Sequence, residues 1–533
     1  MAVRKRMLSC VLIILALGLI SVCPVLAEQP DMGEIHRIVK TNYVDPVPEK
    51  VMTAKTVSEM LKSLGDPYAK YYIKEEFQQE LDQLNGTFTG VGVYFNPVKD
   101  GVEVMALVSG SPAEEVGLKV GDLIVKAGSH PLAGLTKEQV AGYIKGPAGT
   151  AVVLTIKRDG QLIDCKVIRK QIDLPSVEGE MLNKEVAVIE LYEFGSRSAA
   201  EMSSAISELK NKQAQSWILD LRDNPGGFLE TGLQVAGFFI GEGETAIVKE
   251  RNNIEVLNGS LDDQYVEGPL VLLVNENSAS AAEIVTAAMK DHQRALILGH
   301  TTYGKGTVQQ IFELDNGDRL KFTVARFYSP LDKPINQIGI KPDIEVSDDQ
   351  AIKAAELLLH NTSDSGSGNL IRIDTDSFSI TVDPVMARNS AFWPAWNEII
   401  RGCTGYDIYQ GNAKNGWTEL SDEQRKNGWV FFYPDHKYQG AYEYKMQPEG
   451  LALDFLAGVK TSYLNNSNIQ LINAITGKRI PVQFTSSNSK VTMQAVKKPD
   501  SGEYWLVVDN TFLRFNDGHR LEQGLLATVK IGK

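Results

Sequence analysis

The sequence predicts a multidomain chain: a helical N-terminal cap, a β-rich domain, an α/β core and a β-sandwich-like C-terminal domain. Three observations predict it. Between 172 and 360, apolar runs such as Leu270-Val271-Leu272-Leu273-Val274 alternate with helical patterns, as in an α/β sheet. From about 445, short strand patterns recur at the regular spacing of a sandwich. Between them, 361–370 reads Asn-Thr-Ser-Asp-Ser-Gly-Ser-Gly-Asn-Leu, a polar linker. At 533 residues, the length suits about three or four domains.

The start of the chain reads as an address. Arg4, Lys5 and Arg6 precede a mostly apolar run over 7–22, and Val25-Leu26-Ala27 offers a small-residue cleavage site. We therefore expect a signal peptide over 1–27, cut after Ala27, or a single-span membrane anchor if it stays uncut. Either way the bulk of the chain is expected outside the cytoplasm, secreted or in the cell envelope. A net charge of −13 argues against a nucleic-acid binder. Cys10 and Cys23 leave with the signal. Cys165 and Cys403 remain in different predicted domains, and whether they pair stays open. No His/Cys cluster has metal-ligand spacing, so neither metal nor cofactor is expected.

Residues 28–85 read as helical. Ile35, Ile38 and Val39 recur at helical spacing, a second helix is expected over 50–64, and Gly65-Asp66-Pro67-Tyr68 is a turn before a third. Such a cap is too small to stand alone and should rest on a later domain or a second subunit. Over 86–171 come the glycine-spaced Gly86-Thr87-Phe88-Thr89-Gly90-Val91-Gly92-Val93, the turn Gly110-Ser111-Pro112-Ala113 and Gly117-Leu118-Lys119-Val120-Gly121-Asp122-Leu123-Ile124. This stretch resembles a PDZ domain. The resemblance implies that an extended C-terminus adds to a sheet edge, its carboxylate held by N–H groups of Val91, Gly92 and Val93. The plainer reading is a small β domain whose glycines only make turns.

The chemistry concentrates between 172 and 360. A strand over 216–221 ends at Arg222-Asp223-Asn224-Pro225-Gly226-Gly227, whose glycines let backbone approach a ligand. The run 270–274 leads to Asn275-Glu276-Asn277-Ser278-Ala279-Ser280-Ala281-Ala282-Glu283 and an alanine-rich helical pattern. Ser280 thus sits where a strand turns into a helix, beside unpaired N–H groups and the positive dipole end. A hydroxyl there can act as a nucleophile. Lys305, between Gly304 and Gly306, is the candidate base; it must be neutral, hence desolvated in a largely apolar setting. Gln309 can orient its amine by a hydrogen bond.

The N-x-x-S-A-S-A-x-E run, with Gly-Lys-Gly 25 positions after Ser280 and Gln309 four further on, resembles the carboxyl-terminal processing peptidases, a Ser-Lys serine protease family. The resemblance covers about 30–360. It implies Ser280 as nucleophile, Lys305 as general base, Gln309 as support, and an oxyanion hole from the N–H groups of Gly227 and Ala281. It implies protein or peptide substrates with free C-termini; envelope attachment and self-association stay open.

Rival readings remain. Ser280 can be a mere helix cap and Lys305 a solvated turn. Gly299 to Gly306 reads G-x-x-x-x-G-K-G, one position short of a phosphate-binding loop, because Gly306 cannot hold Mg²⁺. A non-catalytic PDZ scaffold or binding protein of the cell envelope is the alternative from another class. Residues 371–440 are left unassigned. Residues 441–533, with strands expected over 469–472, 480–484, 491–493 and 502–508, are similar to bacterial immunoglobulin-like domains, for attachment, substrate presentation or stabilisation.

Overall fold

The computed structural model describes residues 30–532 apart from 261–263, 361–368, 404, 427, 445–450, 455–457, 488 and 511–512. The expected signal over 1–27 and nearly all of the expected linker 361–370 lie outside the described residues.

A six-stranded sheet carries the site. Its order is Val177–Met181, Val186–Leu191, Ser216–Asp220, Leu270–Val274, Leu296–Gly299 and Ile344–Glu345. The first pair is antiparallel and the rest are parallel. Both faces are covered, which is why 270–274 is apolar throughout instead of alternating. On one face Ala187, Ile189, Trp217, Leu219, Leu272 and Ile297 share a core with the helices Ser198–Asn211, Leu229–Ile240 and Ala281–Asp291. On the other, Val188, Ile218, Val271, Leu273 and Leu298 share a core with the helices Asp348–Leu358 and Trp393–Gly402.

A second sheet runs in the order Lys70–Tyr72, Arg319–Tyr328, Glu244–Glu250, Ile254–Asn258, and Thr307–Glu313 also pairs with Arg319–Tyr328. The N-terminal helices rest on it. Ile35, Val39, Met60 and Leu64 are buried against Leu314, Leu320 and Phe322 of the same chain. Arg326 holds the Asp45 carboxylate with two hydrogen bonds, at 3.0 and 2.7 Å. The continuous helix expected over 50–64 is instead two, Glu49–Met52 and Val57–Leu64. Thr56 Oγ1 accepts from Glu59 N at 3.2 Å, and Glu59 Oε2 accepts from Lys55 N at 3.0 Å, so side-chain caps restart the helix.

The β domain between the N-terminal helices and the α/β core has the strand order Val93–Val98, Gly101–Leu107, Leu123–Ala127, Ala151–Arg158, Gln161–Ile168, with the helix Lys137–Ile144 closing its core. Thr87–Gly90 and Lys170–Asp173 pair with each other and carry the chain in and out.

The stretch left unassigned by the sequence carries regular elements among its described residues. Ser379–Val382, Leu370–Asp374, Asp407–Asn412 and Gly416–Glu419 form a sheet whose inner residues Ile371, Ile373, Val382 and Ile408 join the core of the α/β sheet. The last segment holds a five-stranded sheet (His436–Tyr444, Gly524–Ile531, Gly502–Val508, Ile469–Asn473, Arg479–Ile480) and a three-stranded one (Leu451–Asp454, Lys490–Ala495, Val482–Ser487). Its first strand starts at His436, so the boundary expected at 441 falls inside a strand. The strand expected over 480–484 is split. Pro481 has no N–H to give a ladder, and the chain changes sheets there: Ile480 pairs with Leu471, Val482 with Ala495.

Trp393 joins these parts. Its ring stacks on Phe432 at 4.1 Å, tilts against Trp505 at 5.4 Å, and its Nε1 donates to Ala474 O at 3.0 Å. Cys165 and Cys403 are free, buried thiols, and burial pushes Cys403 up to about 12. Trp393→Ala should lower stability by about 3–5 kcal/mol, measured by urea unfolding followed through near-UV circular dichroism. An unchanged midpoint would mean that this junction contributes nothing.

Candidate active site

Four loops leave the carboxyl ends of neighbouring parallel strands: 192–197, 221–228, 275–280 and 300–306. Loops on that side of a parallel sheet converge on one crevice. Here they are knitted together. Asn224 is fully buried; its Nδ2 donates to Leu191 O at 2.7 Å, its Oδ1 accepts from Gly226 N at 2.8 Å, and its carbonyl accepts from Ala279 N at 2.9 Å. Asn277 Nδ2 donates to Asp223 Oδ1 at 2.8 Å.

Ser280 stands at the N-cap of the helix Ala281–Asp291 with φ +56° and ψ −115°. A non-glycine residue held there costs of order 1–3 kcal/mol, and such strain is found where a side chain must be presented in one direction. The approach of the glycine loop is equally tight. A Cβ on Gly226 would lie 2.7 Å from Ser280 Cβ and 2.9 Å from Ala281 N, and one on Gly227 only 2.3 Å from Phe194 O. Phe194 N donates to Gly226 O at 2.9 Å and Phe228 N to Phe194 O at 2.8 Å. That bridge passes over Gly227, whose own N–H it leaves free. Ala281, the first helical residue, likewise has an N–H with no intrahelical acceptor. Two unpaired donors therefore border Ser280. Ser278 is a framework residue instead: its Oγ donates to Leu221 O at 2.7 Å and accepts from Asn275 N at 2.9 Å.

The residue that ties the site together is Glu283, fully buried on the first turn of the helix. Its Oε2 accepts from Ser280 N at 3.0 Å and from Lys305 N at 2.8 Å. Its Oε1 accepts from Thr302 Oγ1 at 2.6 Å and Gly304 N at 2.7 Å. One oxygen thus holds the backbones of Ser280 and Lys305 against each other. Burial pushes the Glu283 carboxyl up, and these four donors pull against that. The residue was visible in the motif but carried no expected role; a carboxylate inside an apolar, alanine-rich helix start was the available signal.

Lys305 is half-buried, with its amine pushed below the usual range first by burial and next by the Lys321 charge; Glu283, Asp66 and Glu80 oppose this. Its setting differs from the largely apolar one expected. The amine faces a cavity of 220 Å³ whose walls include Tyr68, Lys70, Tyr72, Glu80, Gln309 and Lys321. Neither Ser280 nor Gln309 hydrogen-bonds the Lys305 amine. Lys305 Nζ makes no hydrogen bond to Ser280 Oγ; it lies 4.8 Å from the centre of the Tyr68 ring. Gln309 Nε2 does not reach Lys305 but donates to Thr307 Oγ1 at 2.9 Å and Thr323 Oγ1 at 3.3 Å. Those two hydroxyls, on Gln309's own strand and the one paired with it, outcompete the lysine. Nor is 299–306 a phosphate-binding loop, because it enters the strand Thr307–Glu313 and no helix.

In the β domain, Val91 O accepts from Ala113 N at 2.8 Å and Gly92 O from Val108 N at 3.0 Å. Gly92 has φ +81°, and a Cβ there would stand 2.2 Å from Ser111 Cβ. The carbonyls of this loop are thereby turned inward, and Val93 opens the strand Val93–Val98.

The peptidase family S41 profile matches residues 185–346, and a PDZ domain profile matches 103–158. A protein of Bartonella bacilliformis named carboxy-terminal-processing protease is 31% identical over 365 residues, 64% of this chain and 84% of the relative. The carboxy-terminal processing protease CtpA of Bacillus subtilis is 31% identical over 316 residues, 59% of this chain and 68% of its own. A probable CtpA-like serine protease of Staphylococcus epidermidis is 33% identical over 317 residues; this chain spans 64% of that relative's length. The chain belongs to peptidase family S41, with a PDZ domain inserted ahead of the peptidase core.

Glu283→Gln turns one acceptor oxygen into a donor that faces other N–H groups. It should lower stability by about 1–3 kcal/mol and slow any turnover, read from urea melts and cleavage rates of the full chain. Wild-type values for both would remove Glu283 from the framework of the site.

Proposed function

We propose that the chain is an extracytoplasmic serine endopeptidase that cleaves proteins near or from their C-termini, with its PDZ domain recognising the substrate's end. One observation carries this reading: a strained serine at a helix N-terminus, bordered by two free N–H groups, shares a carboxylate oxygen with the backbone of a desolvated lysine.

In this reading Lys305 leaves the Tyr68 ring and reaches Ser280 Oγ when substrate is in place. The neutral amine takes the hydroxyl proton as Oγ bonds to the peptide carbonyl carbon. The oxyanion is held by Gly227 and Ala281 N–H, a pair in which losing one donor costs about 3–4 kcal/mol of transition-state stabilisation. The amine then gives its proton to the departing nitrogen as the C–N bond breaks. Water, deprotonated by Lys305, attacks the acyl carbon, and the returning proton restores Ser280. Gln309 acts at one remove, fixing Thr307 and Thr323 beside the lysine.

The finer architecture belongs to the same proposal. The N-terminal helices form a cap over the second sheet, and the two last sheets form an immunoglobulin-like sandwich for envelope attachment or substrate presentation. A signal over 1–27, cut after Ala27 or kept as a membrane anchor, supports a location outside the cytoplasm for the whole. Loop 91–93 takes the terminal carboxylate, and docking there raises the substrate's effective concentration at Ser280.

Ser280→Ala and Lys305→Ala should each abolish cleavage of a flexible protein with an apolar C-terminus while circular dichroism stays native. Lys305→Arg should be equally inactive, since arginine stays protonated. Because the neutral amine is the working form and its pKa is lowered, activity should rise with pH through a value below the ordinary lysine range. Near-normal turnover by Lys305→Ala would hand the role of base to another group.

Amidating a substrate's C-terminus removes the anchoring charge, so KM should rise severalfold with kcat less affected. Equal kinetics for acid and amide would leave the PDZ domain without a part in selection.

A further inference from the structure

The cover over Lys305 comes from the far end of the chain. Tyr68 follows the turn Asp66-Pro67, and that turn is pinned from two sides. Asp66 Oδ1 accepts from Tyr68 N at 2.9 Å, and Asp66 Oδ2 accepts from Thr323 N at 2.8 Å. The strand Lys70–Tyr72 then pairs with Arg319–Tyr328, Lys70 opposite Lys321. The ring is held over the cavity with the Lys305 amine 4.8 Å from its centre.

We propose that Tyr68 is a positioning residue for the general base: its ring roofs the Lys305 amine and keeps water from it, so that the amine can be neutral at working pH. This rests on the reading of Lys305 as the base.

The groups that face the amine leave this task to the ring. From the strand Arg319–Tyr328 comes Lys321, a like charge; from the cap come Lys70 and Glu80; from the turn Asp66; from the helix Glu283. Glu80 is engaged by Lys321 at 2.8 Å, by Lys70 at 3.2 Å and by the Tyr72 hydroxyl. Asp66 is engaged by two main-chain N–H groups, and Glu283 by three and a hydroxyl. None of these carboxylates forms an ion pair with Lys305. The Tyr68 phenol is itself pushed up by burial and then by Tyr303, Asp66 and Glu283, so the roof carries no charge.

A ring over an amine acts in two opposed ways. Its face attracts an ammonium, which favours the proton. Its bulk displaces water, which disfavours it. With Lys321 nearby and no carboxylate pairing the amine, exclusion of water outweighs attraction, and this fixes the sign of the test.

The test is the pH dependence of kcat/KM on a fluorogenic peptide with an apolar free C-terminus. Tyr68→Ala admits water, and the acidic limb should move up by about one pH unit. Tyr68→Phe, which keeps the ring, should restore the wild-type limb, and Tyr68→Leu, apolar without a ring face, should stay near it. If a melting curve shows Tyr68→Ala unfolded, Tyr68→Gln carries the same expected upward shift. A limb that stays in place or moves down in the folded polar or small variant overturns the proposal. Lys305→Ala separates the two failures: full turnover there sinks the assignment of the base, whereas a dead Lys305→Ala beside an unmoved Tyr68→Ala limb sinks the roof alone.

Discussion

Two segments that must meet, the Ser280 turn and the Lys305 loop, are held by the same buried carboxylate. Glu283 Oε2 accepts main-chain N–H groups from both. Main-chain anchoring matters because the side chains stay free to do chemistry while their origins cannot drift. A buried carboxylate without donors is costly, so the loops must close around Glu283 for the helix Ala281–Asp291 to start at all. The geometry of the site and the stability of the helix start are one constraint seen twice. The strained φ of Ser280 is held in place by the same closure.

The glycine loop adds the second half of the frame. Gly226 and Gly227 come so close to Ser280 and Phe194 that a single methyl group would not fit. The bridge through Phe194 uses the neighbours of Gly227 and leaves its N–H pointing free. The donors around Ser280 are thus unpaired because the backbone beside them is fully occupied elsewhere, which is preorganisation achieved by hydrogen bonding.

Much of this frame was legible because it is local. The unbroken apolar run 270–274 followed by alanines marks a buried strand entering a buried helix, and both glycine loops follow strand patterns directly. What the sequence hid depends on partners far along the chain. Asp66 meets Thr323 across 257 positions, so nothing near Tyr68 signals that it will cover Lys305. Gln309 looked like a partner for the lysine, but two threonine hydroxyls lie closer to its amide. Local chemistry was also underread. Pro481 inside an apolar stretch marks a change of sheet, and Thr56 with Glu59 marks a helix restart. The segment 371–440 showed no chemistry because its apolar residues serve a core shared with the earlier strands Val186–Leu191, Ser216–Asp220, Leu270–Val274 and Leu296–Gly299.

The pairing of Lys70–Tyr72 with Arg319–Tyr328 has a consequence for the order of events in biosynthesis. The N-terminal segment emerges first, yet its apolar residues share their core with residues made about 250 positions later. At synthesis rates of about 5–20 residues per second, it waits on the order of tens of seconds without a surface to rest on. Until Lys321 and Thr323 have been added, the cavity beside Lys305 has neither its floor nor its roof. A chain cut short before Thr323 therefore lacks the surroundings that bury the Lys305 amine, and the setting of that amine is completed late, by residues at both ends of the span from Asp66 to Thr323.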